Sequence, residues 1–125
     1  MREGNKRILI VEDDDSLRRI VSRHLHARGY EVDEVRSAEA AAMALQKGSR
    51  PGIVLLDLNL PAGTGWDLLR EPALAAAGSP PVVITSATTV SPRRLAESGC
   101  AGYLSKPFSL DVLVATIERL VDAKR

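Results

Sequence analysis

Groups able to do ionic chemistry follow four separate apolar runs of this 125-residue chain. Glu12-Asp13-Asp14-Asp15 follows Ile8-Leu9-Ile10-Val11, and Asp57 closes Ile53-Val54-Leu55-Leu56. Thr85 and Ser86 close Val82-Val83-Ile84, and Lys106 follows the short run Ala101 to Ser105. Brought together, three carboxylates raise one another's pKa, and a cation resolves the conflict. Oxygen-only ligands suit Mg2+, which dehydrates reluctantly and is commonly held by one or two carboxylates plus phosphate oxygens. A Mg2+ site that also offers an Asp and a Lys has the outline of a phosphoryl-transfer site. Asp57 would be the nucleophile, Mg2+ and Lys106 would neutralise charge on the phosphoryl oxygens, and Thr85 would donate a hydrogen bond to one of them. Each group also has a plain alternative. Asp57 could cap a turn before Pro61, Asp14 and Asp15 could cap a helix, Lys106 could be a loop lysine, and Thr85 a strand-ending β-former. Joint occurrence at four strand ends favours the chemistry.

These groups meet only if the chain folds to gather them. Unalternating aliphatic runs read as strands buried on both faces, as in a parallel sheet covered by helices. The run before Glu12 is one, and Ile53-Val54-Leu55-Leu56 and Val82-Val83-Ile84 are others; Tyr30 to Val35 reads as a short edge strand and Ala101 to Ser105 as the last. Between them lie helical signals. Ser16 or Asp15 would cap a helix carrying Leu17, Ile20, Val21 and Leu25 and stopped by Gly29, and Ser37 would cap Ala38 to about Lys47, stopped by Gly48. Trp66 to Glu71 starts a helix that Pro72 must interrupt before Ala73 to Ala77. Ser91-Pro92 opens a short helix ended by Gly99, and Ser109 caps a closing helix with the stripe Leu110, Leu113, Val114, Ile117, Leu120 and Val121. Five alternations with short connections predict an α/β fold, a doubly wound five-stranded parallel sheet with helices on both faces. Its carboxyl edge would hold Glu12, Asp13, Asp57, Thr85 and Lys106, where ligands collect in such sheets.

Composition narrows the partners. With 17 Lys and Arg against 16 Asp and Glu, the net charge of +1 offers no field for nucleic acid or an anionic membrane. One cysteine, Cys100, excludes an internal disulfide and reads as a small buried hydrophobe. His24 and His26, two apart on a helix, share no face and read as solvated surface residues. No leader opens the chain and no apolar run approaches a membrane span, so a soluble, cytoplasmic protein is expected, with residues 1–125 as a single domain.

Ile8-Leu9-Ile10-Val11-Glu12-Asp13-Asp14, Leu55-Leu56-Asp57-Leu58-Asn59-Leu60-Pro61 with Gly65, Val83-Ile84-Thr85-Ser86 and Gly102-Tyr103-Leu104-Ser105-Lys106-Pro107-Phe108 together resemble the receiver domain of bacterial two-component response regulators. The resemblance runs in order over nearly the whole chain. It implies the flavodoxin-like strand order 2-1-3-4-5, a phosphoacceptor at Asp57, an acidic pair at Glu12 and Asp13, and Mg2+ also held by the backbone carbonyl of Asn59. It further implies a switch hydroxyl at Thr85, an aromatic switch at Tyr103, a phosphate-pairing Lys106 and a cis bond between Lys106 and Pro107. The segment from Thr85 to Lys106 is slightly short for the family, which leaves Thr85 or Ser86 as the switch hydroxyl; Thr85 is preferred because it directly follows the apolar strand. Gly63 stands where a bulky apolar residue is usual.

The implied function is a signalling switch rather than a turnover enzyme. A histidine kinase or phosphotransfer protein supplies the phosphoryl group, the domain catalyses its own phosphorylation and dephosphorylation, and Thr85 and Tyr103 rearrange the surface around the short helix after Ser91, the last strand and the closing helix. The output is a downstream protein target or an effector domain outside this sequence; this domain itself is expected to contact neither nucleic acid nor membrane. Val112 and Ala115 lie off the apolar stripe of the closing helix. Two other classes use similar parts. A haloacid-dehalogenase-like Mg2+-dependent phosphatase would want a second Asp where Asn59 stands. A flavodoxin-like binder needs a phosphate-cradling loop after the first strand, and four acids stand there instead.

Overall fold

Alternate residues of a strand face opposite sides of a sheet, so strands that are apolar on both faces dictate two separate cores. The computed structural model describes residues 5–60, 65–76 and 78–123. Its strands are β1 (Arg7–Val11), β2 (Glu31–Val35), β3 (Ile53–Asp57), β4 (Val82–Ser86) and β5 (Gly102–Ser105). They form one sheet in the order β2-β1-β3-β4-β5, and every pairing is parallel. The expected topology is therefore present, with β2 at an edge and β3 and β4 buried along their whole length.

Helices α1 (Asp15–His26) and α6 (Leu110–Ala123) cover one face, where Ile8, Ile10, Ile53, Leu55, Val83 and Leu104 meet Val21, Leu25, Leu113 and Ile117. The other face carries Leu9, Val11, Val54, Leu56, Val82 and Ile84. It packs against α2 (Ala38–Gln46), α3 (Gly65–Leu68), α4 (Pro72–Ala75) and α5 (Pro92–Ser98) through Ala41, Leu45, Leu68, Leu74 and the partly buried Leu95. Fully buried Ile and Leu side chains contribute about 1.5–3 kcal/mol each, which lets the sheet carry polar groups at its carboxyl edge.

The local signals mostly hold. Ser37 and Ser91 accept from the backbone N–H three residues on and cap α2 and α5, and Gly99 ends α5 at φ 74°. Pro72 splits the third crossover, and the second piece ends at Ala75, short of the alanine run to Ala77. Four details differ from the sequence reading. The N-cap of α1 is Asp14, whose carboxylate accepts from Leu17 N–H, so neither Asp15 nor Ser16 serves. Ile20 is 51 % exposed, and Arg18 takes a place on the buried face beside Val21 and Leu25. His24 is half-buried with its Nε2 enclosed, although His26 is exposed as expected. Cys100 is half-buried rather than buried. The expectation for Gly63 lies outside the described residues.

Among the described residues no helix is long and apolar enough to cross a membrane. Arg7 offsets the acidic edge strand, with 2.9 Å to Asp33 and 3.3 Å to Glu31.

Candidate functional site

Register decides which side chains meet. Val11 pairs with Leu56, Asp57 with Thr85, Thr85 with Leu104 and Ser86 with Ser105. One residue beyond β1 and β5 stand Glu12 and Lys106, anchored by Glu12 N–H to Val35 O at 3.1 Å and Lys106 N–H to Ser86 O at 2.8 Å. Alternation then puts Glu12, Asp57, Thr85 and Lys106 on the α1/α6 face, in line with Ile10, Leu55, Val83 and Leu104. The ends of four strands converge, as the sequence required.

The geometry is tight. Lys106 Nζ lies 2.7 Å from Glu12 Oε1 and 3.3 Å from Asp57 Oδ2. Asp57 is 2 % exposed, and its Oδ1 accepts from Asn59 N–H at 2.9 Å. Glu12 Oε2 accepts from Asp14 N–H at 3.1 Å. Asp13 is half-buried, and oxygens of Glu12, Asp13 and Asp57 all lie within 4.8 Å of one another. The peptide bond between Lys106 and Pro107 is cis.

Glu12 is buried at the strand end. Desolvation, with the like charge of Asp57 added, lifts its pKa above the ordinary value of 4.5 despite the hydrogen bonds from Lys106 and Asp14. Burial also acts to lower the pKa of Lys106, but its bond to Glu12 and the charges of Glu12 and Asp57 outweigh that and hold the ammonium more firmly protonated. Three ionised carboxylates around one ammonium leave two negative charges uncompensated, the charge of one divalent cation. The all-oxygen donor set fits Mg2+ rather than a softer metal.

The acidic run is sorted by the fold. Asp14 is spent on the cap of α1, and Asp15 pairs with Arg18 at 2.8 Å and Arg36 at 3.3 Å. Only Glu12 and Asp13 are left for the pocket. Thr85 is buried beside Asp57, whereas Ser86 points to the opposite face. There its hydroxyl accepts from Thr88 N–H at 3.0 Å and shares one proton among Asn59 Oδ1, Thr88 O and Thr88 Oγ1, each at 3.0 Å. Asn59 Oδ1 also accepts from Ala87 N–H at 2.9 Å, and Tyr103 OH donates to Thr88 O at 3.3 Å. Gly65 starts α3 so close to β3 that an added Cβ would stand 2.7 Å from the Asp57 carbonyl oxygen.

Sequence reasoning missed two parts. The amide of Asn59 and the hydroxyl of Thr88 fasten the loop after β4, and nothing in residue type or spacing marks them. Arg18 left only a weak mark: it lies seven residues before Leu25, two turns along the same helix face, where an apolar residue would be routine.

The family model described as the response regulator receiver domain matches residues 8–118. The chain belongs to that family. This receiver domain is 37% identical over 113 residues to the DNA-binding response regulator MtrA of Mycolicibacterium smegmatis, covering 90% of this chain and 49% of that protein. It is 34% identical over 116 residues to the response regulator MprA of Mycobacterium sp. (strain KMS), covering 92% of this chain and 50% of the relative. The chain thus spans about half the length of the curated relatives it matches. Among solved structures, the chemotaxis protein CheY4 of Vibrio cholerae superposes with a TM-score of 0.81 at 29% identity, covering 94% of this receiver domain and 99% of that chain. A CheY-like receiver domain protein from Methanospirillum hungatei JF-1 reaches 0.85 at 24% identity, a likeness of fold, over 96% of each chain.

Proposed function

We propose that this receiver domain accepts a phosphoryl group on Asp57 and thereby switches its surface. The observation that carries the reading is the Asp57 carboxylate, 2 % exposed, set between the Glu12/Asp13 acids and the Lys106 ammonium at 3.3 Å. Glu12, Asp13 and Asp57, with the backbone carbonyl of Asn59, would hold Mg2+. When bound, Mg2+ supplies positive charge to the phosphoryl oxygens. A carboxylate oxygen of Asp57 forms the new bond to phosphorus as the donor's bond to phosphorus breaks, and Lys106, already between Glu12 and Asp57, pairs with the charge on the transferred group.

Thr85, in register with Asp57 on the same face, serves as the switch hydroxyl in preference to Ser86, whose hydroxyl is engaged with Asn59 and Thr88. Tyr103 reads the change through the loop it already touches at Thr88. Phosphorylation acts by favouring one arrangement of this loop over the other. The donor is a histidine kinase or phosphotransfer protein, and the recipient of the signal is a protein target or an effector domain. A haloacid-dehalogenase-like reading draws no support from Asn59, whose side-chain amide is occupied by Ala87, Ser86 and Thr88 where that chemistry wants an acid.

Incubation with acetyl phosphate and MgCl2, followed by intact mass, tests the proposal. The wild type gains one phosphoryl group and Asp57→Asn gains none. Equal labelling of both proteins, or steady hydrolysis of phosphate esters by either, would overturn it.

A further inference from the structure

Arg18 is a cation on the buried face of a core helix, 8 % exposed at its side chain. Desolvation disfavours a charge there, so the position demands an explanation. Two acids supply part of it: Nε donates to Glu34 Oε1 at 3.1 Å, and Nη1 lies 2.8 Å from Asp15 Oδ1. The third contact has a different character. Nη1 also donates to the backbone carbonyl of Glu12 at 3.0 Å, a bond enclosed in the protein.

That carbonyl belongs to the peptide unit joining Glu12 to Asp13. The six atoms of a peptide unit are held in a plane, so fixing the Glu12 oxygen fixes the direction in which the Asp13 Cα leaves β1. Asp13 has little else to place it. Among the described residues its carboxylate makes no hydrogen bond or ion pair, whereas Glu12 is held through its N–H by Val35 and through its carboxylate by Asp14 and Lys106. The small cavity beneath the site, about 10 Å³ and lined in part by Glu12, Arg18, Thr85 and Phe108, is too tight for the guanidinium to swing into without displacing them.

We propose that Arg18 is a positioning residue for the divalent-cation pocket, holding the Glu12–Asp13 peptide in the orientation that presents the Asp13 carboxylate to the ion. This rests on the reading of Glu12, Asp13 and Asp57 as a Mg2+ site, and the test separates the two. The sign of the effect is diagnostic. Were Arg18 only a nearby positive charge, removing it would tighten cation binding, because one repulsive charge is gone. A purely structural role would lower the melting temperature and leave affinity alone. A positioning role predicts weaker binding, by roughly tenfold to a hundredfold, as for other residues that orient metal ligands from behind.

The experiment is calorimetric titration with MgCl2 of the wild type, Arg18→Met and Glu34→Gln, the last of which loses an acid partner of Arg18 and keeps the Glu12 carbonyl bond. Arg18→Lys, titrated alongside, retains the charge with a single nitrogen and covers the case in which the methionine variant does not fold. The expected result is a dissociation constant raised roughly tenfold or more in Arg18→Met, a smaller rise in Arg18→Lys and little change in Glu34→Gln. With acetyl phosphate, the MgCl2 concentration for half-maximal phosphorylation rises in parallel while the rate at saturating MgCl2 stays near the wild-type value. Unchanged or tighter MgCl2 binding in the Arg18 variants, with the wild type binding normally, overturns this role alone. A wild type that does not bind MgCl2 overturns the functional reading and this one with it.

Discussion

Glu12 bears the electrostatic cost of the pocket. Burial and the neighbouring Asp57 raise its pKa above 4.5, so the folded domain binds that proton more tightly than the unfolded chain does. Glu12 therefore opposes folding above its raised pKa, and the opposition is lifted as pH falls through that value and is gone below 4.5. Without divalent cation, Glu12→Gln is expected to melt above the wild type at neutral pH, and melting curves at descending pH should show the gap closing toward pH 4.5. An equal gap at both ends would contradict the burial argument. Lys106 has the opposite balance, kept protonated by Glu12 and Asp57 against its own burial. Its replacement by Met is expected to slow phosphorylation by acetyl phosphate roughly a hundredfold, the worth of one group stabilising transition-state charge, while MgCl2 still binds. At this scale Asp57, Glu12, Asp13 and Lys106 were legible because each breaks an apolar run with a charge. Arg18 also breaks one, but on a helix, where long cations snorkel so commonly that the break carries little information.

The elements place these residues with a few local devices. Ser37, Ser91 and Gly99 are caps whose sequence signals and geometry agree, because they act on backbone groups within three residues. The cap of α1 was less legible: four consecutive acids all suit a first turn, and only the position of β1 decides that Asp14 takes the role. Pro72 was readable as a break, since it removes a donor and clashes with the preceding turn. Gly65 matters through a close approach rather than a turn. A Cβ there would stand 2.7 Å from the Asp57 carbonyl oxygen and 3.1 Å from the Leu58 Cα, so Gly65→Ala must push α3 away from the strand that carries the phosphoacceptor. Expected is a loss of about 1–3 kcal/mol in chemical denaturation, typical of an overpacked contact. Slower phosphorylation should accompany it.

Across the whole molecule the two faces are unequally covered. Helices α1 and α6 bring residues such as Leu25, Leu113 and Ile117 fully into the core, whereas α5 has no buried residue and the third crossover is two short helices of four residues each. Amide hydrogen exchange should accordingly be fastest in α3 to α5 and slowest in β1, β3 and α6, and the reverse order would contradict this division of stability. A doubly wound parallel sheet was readable from alternation and short connections, and its strand order only through the resemblance to the receiver family; the register that aligns Asp57 with Thr85 was not readable, because runs of aliphatic residues slide past one another without a sequence mark. The convergence of Glu12, Asp57 and Lys106 is a product of that register. It also predicts that MgCl2 at a hundredfold excess over its dissociation constant stabilises the domain by about 2.7 kcal/mol. The loosely held Asp13 should matter here: Asp13→Asn should lose much of that increment. Phosphorylation at Asp57 is measured most directly by trapping the acyl phosphate. After acetyl phosphate and MgCl2, reduction with borohydride converts a phosphorylated aspartate to homoserine, and tandem mass spectrometry locates it. A phosphoacceptor at Asp57 gives homoserine at position 57 and nowhere else in the wild type; homoserine at Asp13 or another acid instead, or none at all, would rule Asp57 out as the phosphoacceptor.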